Sequence, residues 1–243
     1  MTTTNPAPTS PVPLDQPVIF YPGTLCDERV FMPCWQAMNI PKRAFVPLQW
    51  AETQEQMLAL SRDRLDYFDE SVHLVGFSMG GYVAALNALE QPNKIASLTL
   101  IGSYPGQFAA HERQARLSII QAIQSKKYQG MSDSRLRQFV FSLNNTQVLQ
   151  TIKAMESDLG PNVLAAQMKA LSERDDLTIR LADAPFKVHL LVGEHDQIAS
   201  AEKISGLSEQ ITNSQLHIFA NAAHMLPLEQ PDALAQYFAE NFS

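Results

Sequence analysis

Ser78 stands at the centre of Gly76-Phe-Ser-Met-Gly80, with the apolar run Val72, Leu74 and Val75 before it. A helix-like pattern follows it, through Tyr82, Val83, Leu86 and Leu89. G-x-S-x-G is common in loops, but the strand before and the helix after give it a specific reading: a hydroxyl held at the apex of a strained turn. Gly76 and Gly80 supply the small residues such a turn needs, because strand and helix backbones nearly touch there. The Met79 N–H opens the new helix and points at whatever the Ser78 oxygen attacks. A serine hydroxyl is a weak nucleophile until an imidazole accepts its proton, and the imidazole in turn needs a carboxylate to fix its tautomer. Two later segments carry those groups, Gly193-Glu-His-Asp196 and Asn221-Ala-Ala-His224. The chain order is therefore Ser78, Asp196, His224.

These residues need a scaffold. Pro17–Gly23, Ala44–Leu48, Val72–Val75, Ile95–Ile101, Lys187–Val192 and Gln215–Phe219 read as strands, with Pro47 suiting the second to a sheet edge. Thr53–Phe68, the stretch after Ser78, Ala201–Gln210 and Pro231–Asn241 read as helices. Strands alternating with such helices predict an α/β fold with a mostly parallel sheet, flanking helices and right-handed crossovers. Ser78, Asp196 and His224 each follow a strand, so all three gather at its carboxyl edge. The rhythm lapses between Pro105 and Pro185, where His111–Gln129, Ser132–Leu143, Thr146–Leu159, Pro161–Arg174 and Leu177–Ala182 read as helices. The expected organisation is a core over residues 17–104 and 186–243, with residues 105–185 inserted as a helical lid. Residues 1–16, with four prolines, no basic n-region and no apolar h-region, read as a flexible leader rather than a secretory signal.

Composition narrows the function classes. A net charge of −7 over 243 residues, with no basic stretch, argues against nucleic acid or an anionic membrane surface as partner. No run approaches the ~20 apolar residues of a membrane helix. Two cysteines, Cys26 and Cys34, are too few for a disulfide framework and lack metal-ligand spacing, so no metal or other cofactor is expected. The expected setting is the cytoplasm.

On Gly76–Gly80, Gly193–Asp196 and His224-Met-Leu-Pro-Leu-Glu-Gln-Pro231, the chain from Pro17 onward resembles the α/β-hydrolases, most nearly the small lidded bacterial carboxylesterases and enol-lactone hydrolases. The resemblance implies a serine hydrolase of small to medium carboxylic esters working through an acyl-enzyme. In it Ser78 is nucleophile, His224 general base and acid, and Asp196 the orienting acid. It implies an oxyanion hole of backbone N–H groups from Met79 and Thr24, with Leu25 a possible donor, because Pro22-Gly23 stands where the family usually has His-Gly. Ala223 likewise replaces a frequent Gly. Leu25, Ser103, Phe108, Phe139, Met168 and Met225 are candidate pocket residues, and Phe141 is another lid aromatic that could wall an acyl pocket. A lactone, a thioester, acyl transfer to an alcohol, or ligand binding without catalysis would suit the same frame. Epoxide hydrolysis and dehalogenation would need an Asp at position 78. Among other polar groups, His195 reads as a surface or lid contact, His189 and His217 as core or sheet-face residues, Asp27 as an N-cap, Cys26 as a spectator and Glu229 as structural.

Overall fold

A computed structural model describes residues 14–242. Six strands, β1 (Val18–Tyr21), β2 (Arg43–Phe45), β3 (Val72–Phe77), β4 (Ile95–Ile101), β5 (Lys187–Gly193) and β6 (Ser214–Phe219), form one sheet. The order is β2-β1-β3-β4-β5-β6, and every adjacent pair is parallel. The β2 strand is the edge that Pro47 suggested, though it ends at Phe45, before the proline.

The inner strands are apolar on both faces because helices cover both. Ile19, Leu74, Leu98 and Leu190 turn to one face, where α2 (Gln54–Asp66), α3 (Met79–Glu90) and α8 (Ala201–Ser208) pack. Val18, Phe20, Val75 and Leu191 alternate to the other, beneath α1 (Met32–Gln36) and α10 (Pro231–Asn241). The α2 helix starts where Thr53 and Gln56 form a reciprocal capping box. Between β4 and β5 lie four helices: α4 (Ala110–Gln124), α5 (Asp133–Phe139), α6 (Thr146–Ala170) and α7 (Thr178–Ala182). A short α9 (Leu226–Glu229) precedes α10. The two helices expected on either side of Gly160-Pro161 run on as α6, bent where Gly160 leaves helical geometry at φ 77° and ψ 169°. None of the helices among the described residues is long and apolar enough to cross a membrane.

The expected leader lies outside the described residues except for its last three, and these pack with the core. Leu14 is buried and donates its N–H to Asn39 O at 3.1 Å, and Gln16 reaches Ser71. The reason is simple: Leu14 is the first large aliphatic after a run of Pro, Thr and Ser.

On the sheet face covered by α10, His73 and His189 are buried, each with one ring nitrogen 2.8 Å from a hydroxyl, of Ser97 and Tyr237 respectively. Burial pushes both imidazoles down to about 4, because the charged form loses its solvation. Above pH 6.5 both are neutral folded or unfolded and the shift contributes nothing. As pH falls from 6.5 towards 4 only the unfolded chain takes up these protons, so stability falls by about 3 kcal/mol per histidine. Urea midpoints measured from pH 7 to 4 should drop accordingly, and His189→Gln should flatten the slope by about one proton.

Candidate active site

The sheet register assembles the site. Tyr21 pairs with Gly76 and Phe77 with Ile101, so the loops after β1 and β4 flank the turn after β3. Gly193 pairs with Phe219, so the loops after β5 and β6 leave the sheet together. The carboxyl edge then holds Ser78, Asp196 and His224 in contact. Ser78 Oγ lies 3.0 Å from His224 Nε2, and His224 Nδ1 lies 2.8 Å from Asp196 Oδ2. Asp196 Oδ1 accepts from the Ile198 and Ala199 N–H groups at 2.7 and 2.8 Å. Asp196 and His224 are buried.

Ser78 sits at φ 51° and ψ −117°, outside the regions an L residue prefers, and the strain costs on the order of 1–3 kcal/mol. Neighbours hold it there: its N–H donates to Ile101 O at 2.9 Å, and Ser103 Oγ donates to its carbonyl at 2.7 Å. Gly76 is required as expected, since a Cβ there would lie 2.4 Å from the Gly81 Cα. Gly80 is required for a different reason from the one expected. Its Cβ would meet the Tyr21 and Pro22 carbonyl oxygens at 2.3 and 2.4 Å, so it brings α3 against the loop after β1 rather than against its own strand.

That loop brings Thr24 to the nucleophile. Among the described residues neither the Thr24 nor the Met79 N–H has an acceptor. The alternative donor is spoken for: Leu25, at φ 54°, donates its N–H to Gln167 Oε1 at 2.8 Å. Gln167 is wholly buried and also donates to Leu48 O, so α6 ties down the loop after β1.

On the opposite wall, Glu229 accepts from the Ala223 N–H at 2.9 Å and the Phe141 N–H at 2.5 Å. It thereby joins the His224 loop to the end of α5, and burial holds its carboxyl above the usual carboxylate range. Asp27 is an N-cap, accepting from the Arg29 N–H, and also pairs with the Arg29 guanidinium. Cys26 is buried and its thiol is pushed up to about 12 by desolvation, which makes it a poor nucleophile. His195 is half exposed and stacks on Phe141 at 4.9 Å, so Phe141 faces outward rather than walling a pocket.

Ser78 opens onto two cavities. The larger, about 360 Å³, is mainly apolar and is lined by Leu25, Phe139, Leu164, Met168 and Met225 along with His224. The smaller, about 100 Å³, is bordered by Ser103, Phe108, Arg116 and Arg174. Of the six candidate pocket residues, four thus wall the first cavity and two the second. Arg116, Gln167 and Arg174 escaped sequence reasoning: they are polar residues on helices expected to be amphipathic, where polarity reads as a solvated face.

A family model for the alpha/beta hydrolase fold matches residues 51–231. The chain belongs to that family. It is 26% identical over 173 residues to the 2-succinyl-6-hydroxy-2,4-cyclohexadiene-1-carboxylate synthase of Enterobacter sp. (strain 638), covering 69% of this chain and 65% of that relative. The enzyme of the same name from Salmonella heidelberg (strain SL476) is 28% identical over 173 residues, covering 67% and 66%. The match thus spans just under two thirds of those relatives' length. Among solved α/β structures, a thermophilic esterase from Thermogutta terrifontis superposes with a TM-score of 0.79 at 21% identity, covering 93% of this chain and 88% of that one. MenH from S. aureus superposes with a TM-score of 0.79 at 19% identity, covering 93% and 92%. These likenesses are of fold.

Proposed function

We propose that this α/β-hydrolase cleaves small to medium carboxylic esters through an acyl-enzyme on Ser78. The observation that carries the reading is the unbroken chain from Asp196 Oδ2 through both nitrogens of His224 to Ser78 Oγ, with contacts of 2.8 and 3.0 Å. Two free N–H groups lie beside it. In this mechanism Asp196 accepts from His224 Nδ1–H, which leaves Nε2 as the acceptor for the Ser78 proton. The alkoxide attacks the ester carbonyl while the Thr24 and Met79 N–H groups hold the oxyanion; one such donor is worth about 2.7–4 kcal/mol of barrier lowering. The imidazolium then protonates the departing alcohol, and water repeats the sequence to free the acid. The helices of residues 105–185 act as a lid whose inner face shapes the acyl site, and the protein works in the cytoplasm on a small-molecule substrate.

A fluorophosphonate probe should label Ser78 in the folded protein. Ser78→Ala should lose the label and lower turnover of p-nitrophenyl butyrate by about 10⁴-fold or more, with an unchanged melting curve. An unlabelled, folded wild-type protein would instead support a ligand-binding role. The likeness to the Enterobacter enzyme favours one second reading, in which the same groups form a cyclohexadiene carboxylate of the kind its name describes. Lactones and thioesters fit the same nucleophile, and a substrate screen across these classes separates them.

A further inference from the structure

Arg116 of α4 and Arg174, which follows α6, are the two arginines among the described residues whose Nε is buried without an acceptor. Each makes a single hydrogen bond, Arg116 Nη2 to Met168 O at 3.4 Å and Arg174 Nη2 to Tyr104 O at 3.0 Å. A guanidinium carries five N–H donors. The Nε of each is fully buried without an acceptor, and neither group pairs with a carboxylate among the described residues. Their aromatic neighbours are Phe108, whose ring centroid lies 3.6 Å from the Arg174 guanidinium carbon and 4.4 Å from that of Arg116, and, for Arg174, Tyr82 at 4.9 Å. Burial draws both groups down to about 10, and for Arg174 the second cause is the like charge of Arg116. The other charges at this cavity, Lys203 and Glu112, face each other at 3.9 Å and offset one another. No carboxylate pairs directly with either guanidinium; Glu112 acts on both, and Asp176 on Arg174, only from beyond ion-pair distance.

A cation–π contact returns about 0.5–2 kcal/mol, and with one hydrogen bond each these partly buried guanidiniums keep most of their N–H donors without a protein partner. Neighbouring guanidiniums that line a cavity are suited to an anion arriving with a ligand. We infer that Arg116 and Arg174 form an anion subsite beside Ser78, and that the substrate is an ester bearing a carboxylate. This rests on the ester-hydrolase reading and narrows it. The small cavity, about 100 Å³, has room for a carboxylate and a carbon or two, whereas the cavity of about 360 Å³ across Ser78 takes the apolar remainder. Arg116 borders both. The planar fork of a guanidinium matches a carboxylate in a way a lysine would not.

The test uses esters matched except for a terminal methyl replaced by carboxylate: methyl hexanoate against monomethyl adipate, and butyl acetate against 4-acetoxybutanoate. Turnover is followed by pH-stat titration. In at least one pair the anionic ester should have a kcat/KM tenfold or more higher, through KM. That preference should collapse towards one in Arg116→Gln and Arg174→Gln and persist in part in Arg116→Lys. Equal or poorer turnover of the anionic member in both pairs overturns the subsite, as does a variant that melts lower yet keeps the full preference. Calorimetric titration of Ser78→Ala with adipate needs no catalysis: binding weakened at least tenfold by Arg174→Gln supports the subsite, and no binding at millimolar adipate overturns it. If no ester is turned over and the fluorophosphonate fails to label Ser78, the hydrolase reading has failed, and the adipate titration still decides the subsite.

Discussion

Asp196→Asn should lower kcat by about 10⁴-fold while leaving the fold and the Ser78 geometry in place. The loss follows from where the hydrogen bonds of this carboxylate go. Oδ1 accepts two backbone N–H groups, from Ile198 and Ala199, and Oδ2 faces His224 Nδ1. An asparagine keeps one oxygen and gains an NH₂. Its oxygen must stay with the two backbone donors, because turning the NH₂ towards them would leave two buried N–H groups unpaired at a cost of about 1–3 kcal/mol each. The NH₂ therefore points at His224 and donates to Nδ1. That fixes the proton on Nε2, facing Ser78 Oγ, where the ring can no longer accept the serine proton. The imidazole stays in position in the wrong tautomer. Circular dichroism and melting should change little, whereas steady-state turnover of p-nitrophenyl butyrate falls to near background. Asp196→Ala, which removes the directing NH₂ and leaves the two N–H groups open to water, should melt lower than Asp196→Asn. A D196N protein that retained a tenth of the wild-type rate would show that Asp196 does not set the His224 tautomer.

How much of this was legible in the chain depends on how local the determinant is. The strand Ile95–Ile101 and the helix Pro231–Asn241 match their apolar patterns to the residue, because each is a single periodic run bounded by a break. The strand before Ser78 runs two residues further than its aliphatic run, since Gly76 and Phe77 still pair with β4. The α1 helix, five residues containing Pro33, is too short for periodicity to reveal. Ser78, Asp196 and His224 were readable because motif and chain order survive without knowledge of packing, and parallel register then forces them together. The anion-facing arginines and Gln167 were not. Their surroundings are created only when α4 and α6 pack together beside the loop after β1, and no local pattern separates a polar residue facing a cavity from one facing water. The choice between Thr24 and Leu25 was hidden for the same reason: it turns on Gln167, some 142 positions away.

Gly80→Ala should destabilise the protein and disable it together, although the same substitution normally strengthens a helix. Ala exceeds Gly by about 1 kcal/mol in a helix interior, through the entropy lost on ordering the backbone. Gly206 shows that ordinary case. It lies in α8 with nothing within 4 Å of an added Cβ, so Gly206→Ala should stabilise by up to about 1 kcal/mol and leave kcat alone. At Gly80 the added carbon meets two backbone oxygens, Tyr21 O at 2.3 Å and Pro22 O at 2.4 Å. No rotamer relieves this, because the obstacle is main chain. Either the N-terminus of α3 or the end of β1 must move, and β1 is pinned between β2 and β3. Overpacking of this kind costs about 1–3 kcal/mol, outweighing the propensity gain and lowering Tm by about 2–10 °C. The displacement also falls between the Met79 and Thr24 N–H groups, one on each side of the clash. Loss of one oxyanion donor corresponds to about 10²–10³ in kcat, so Gly80→Ala should lose that much at temperatures where it remains folded. Thermal melts and steady-state kinetics on the two glycine variants side by side decide the point. If Gly80→Ala melts and turns over like Gly206→Ala, the close approach of α3 to the Thr24 loop does not shape the oxyanion hole.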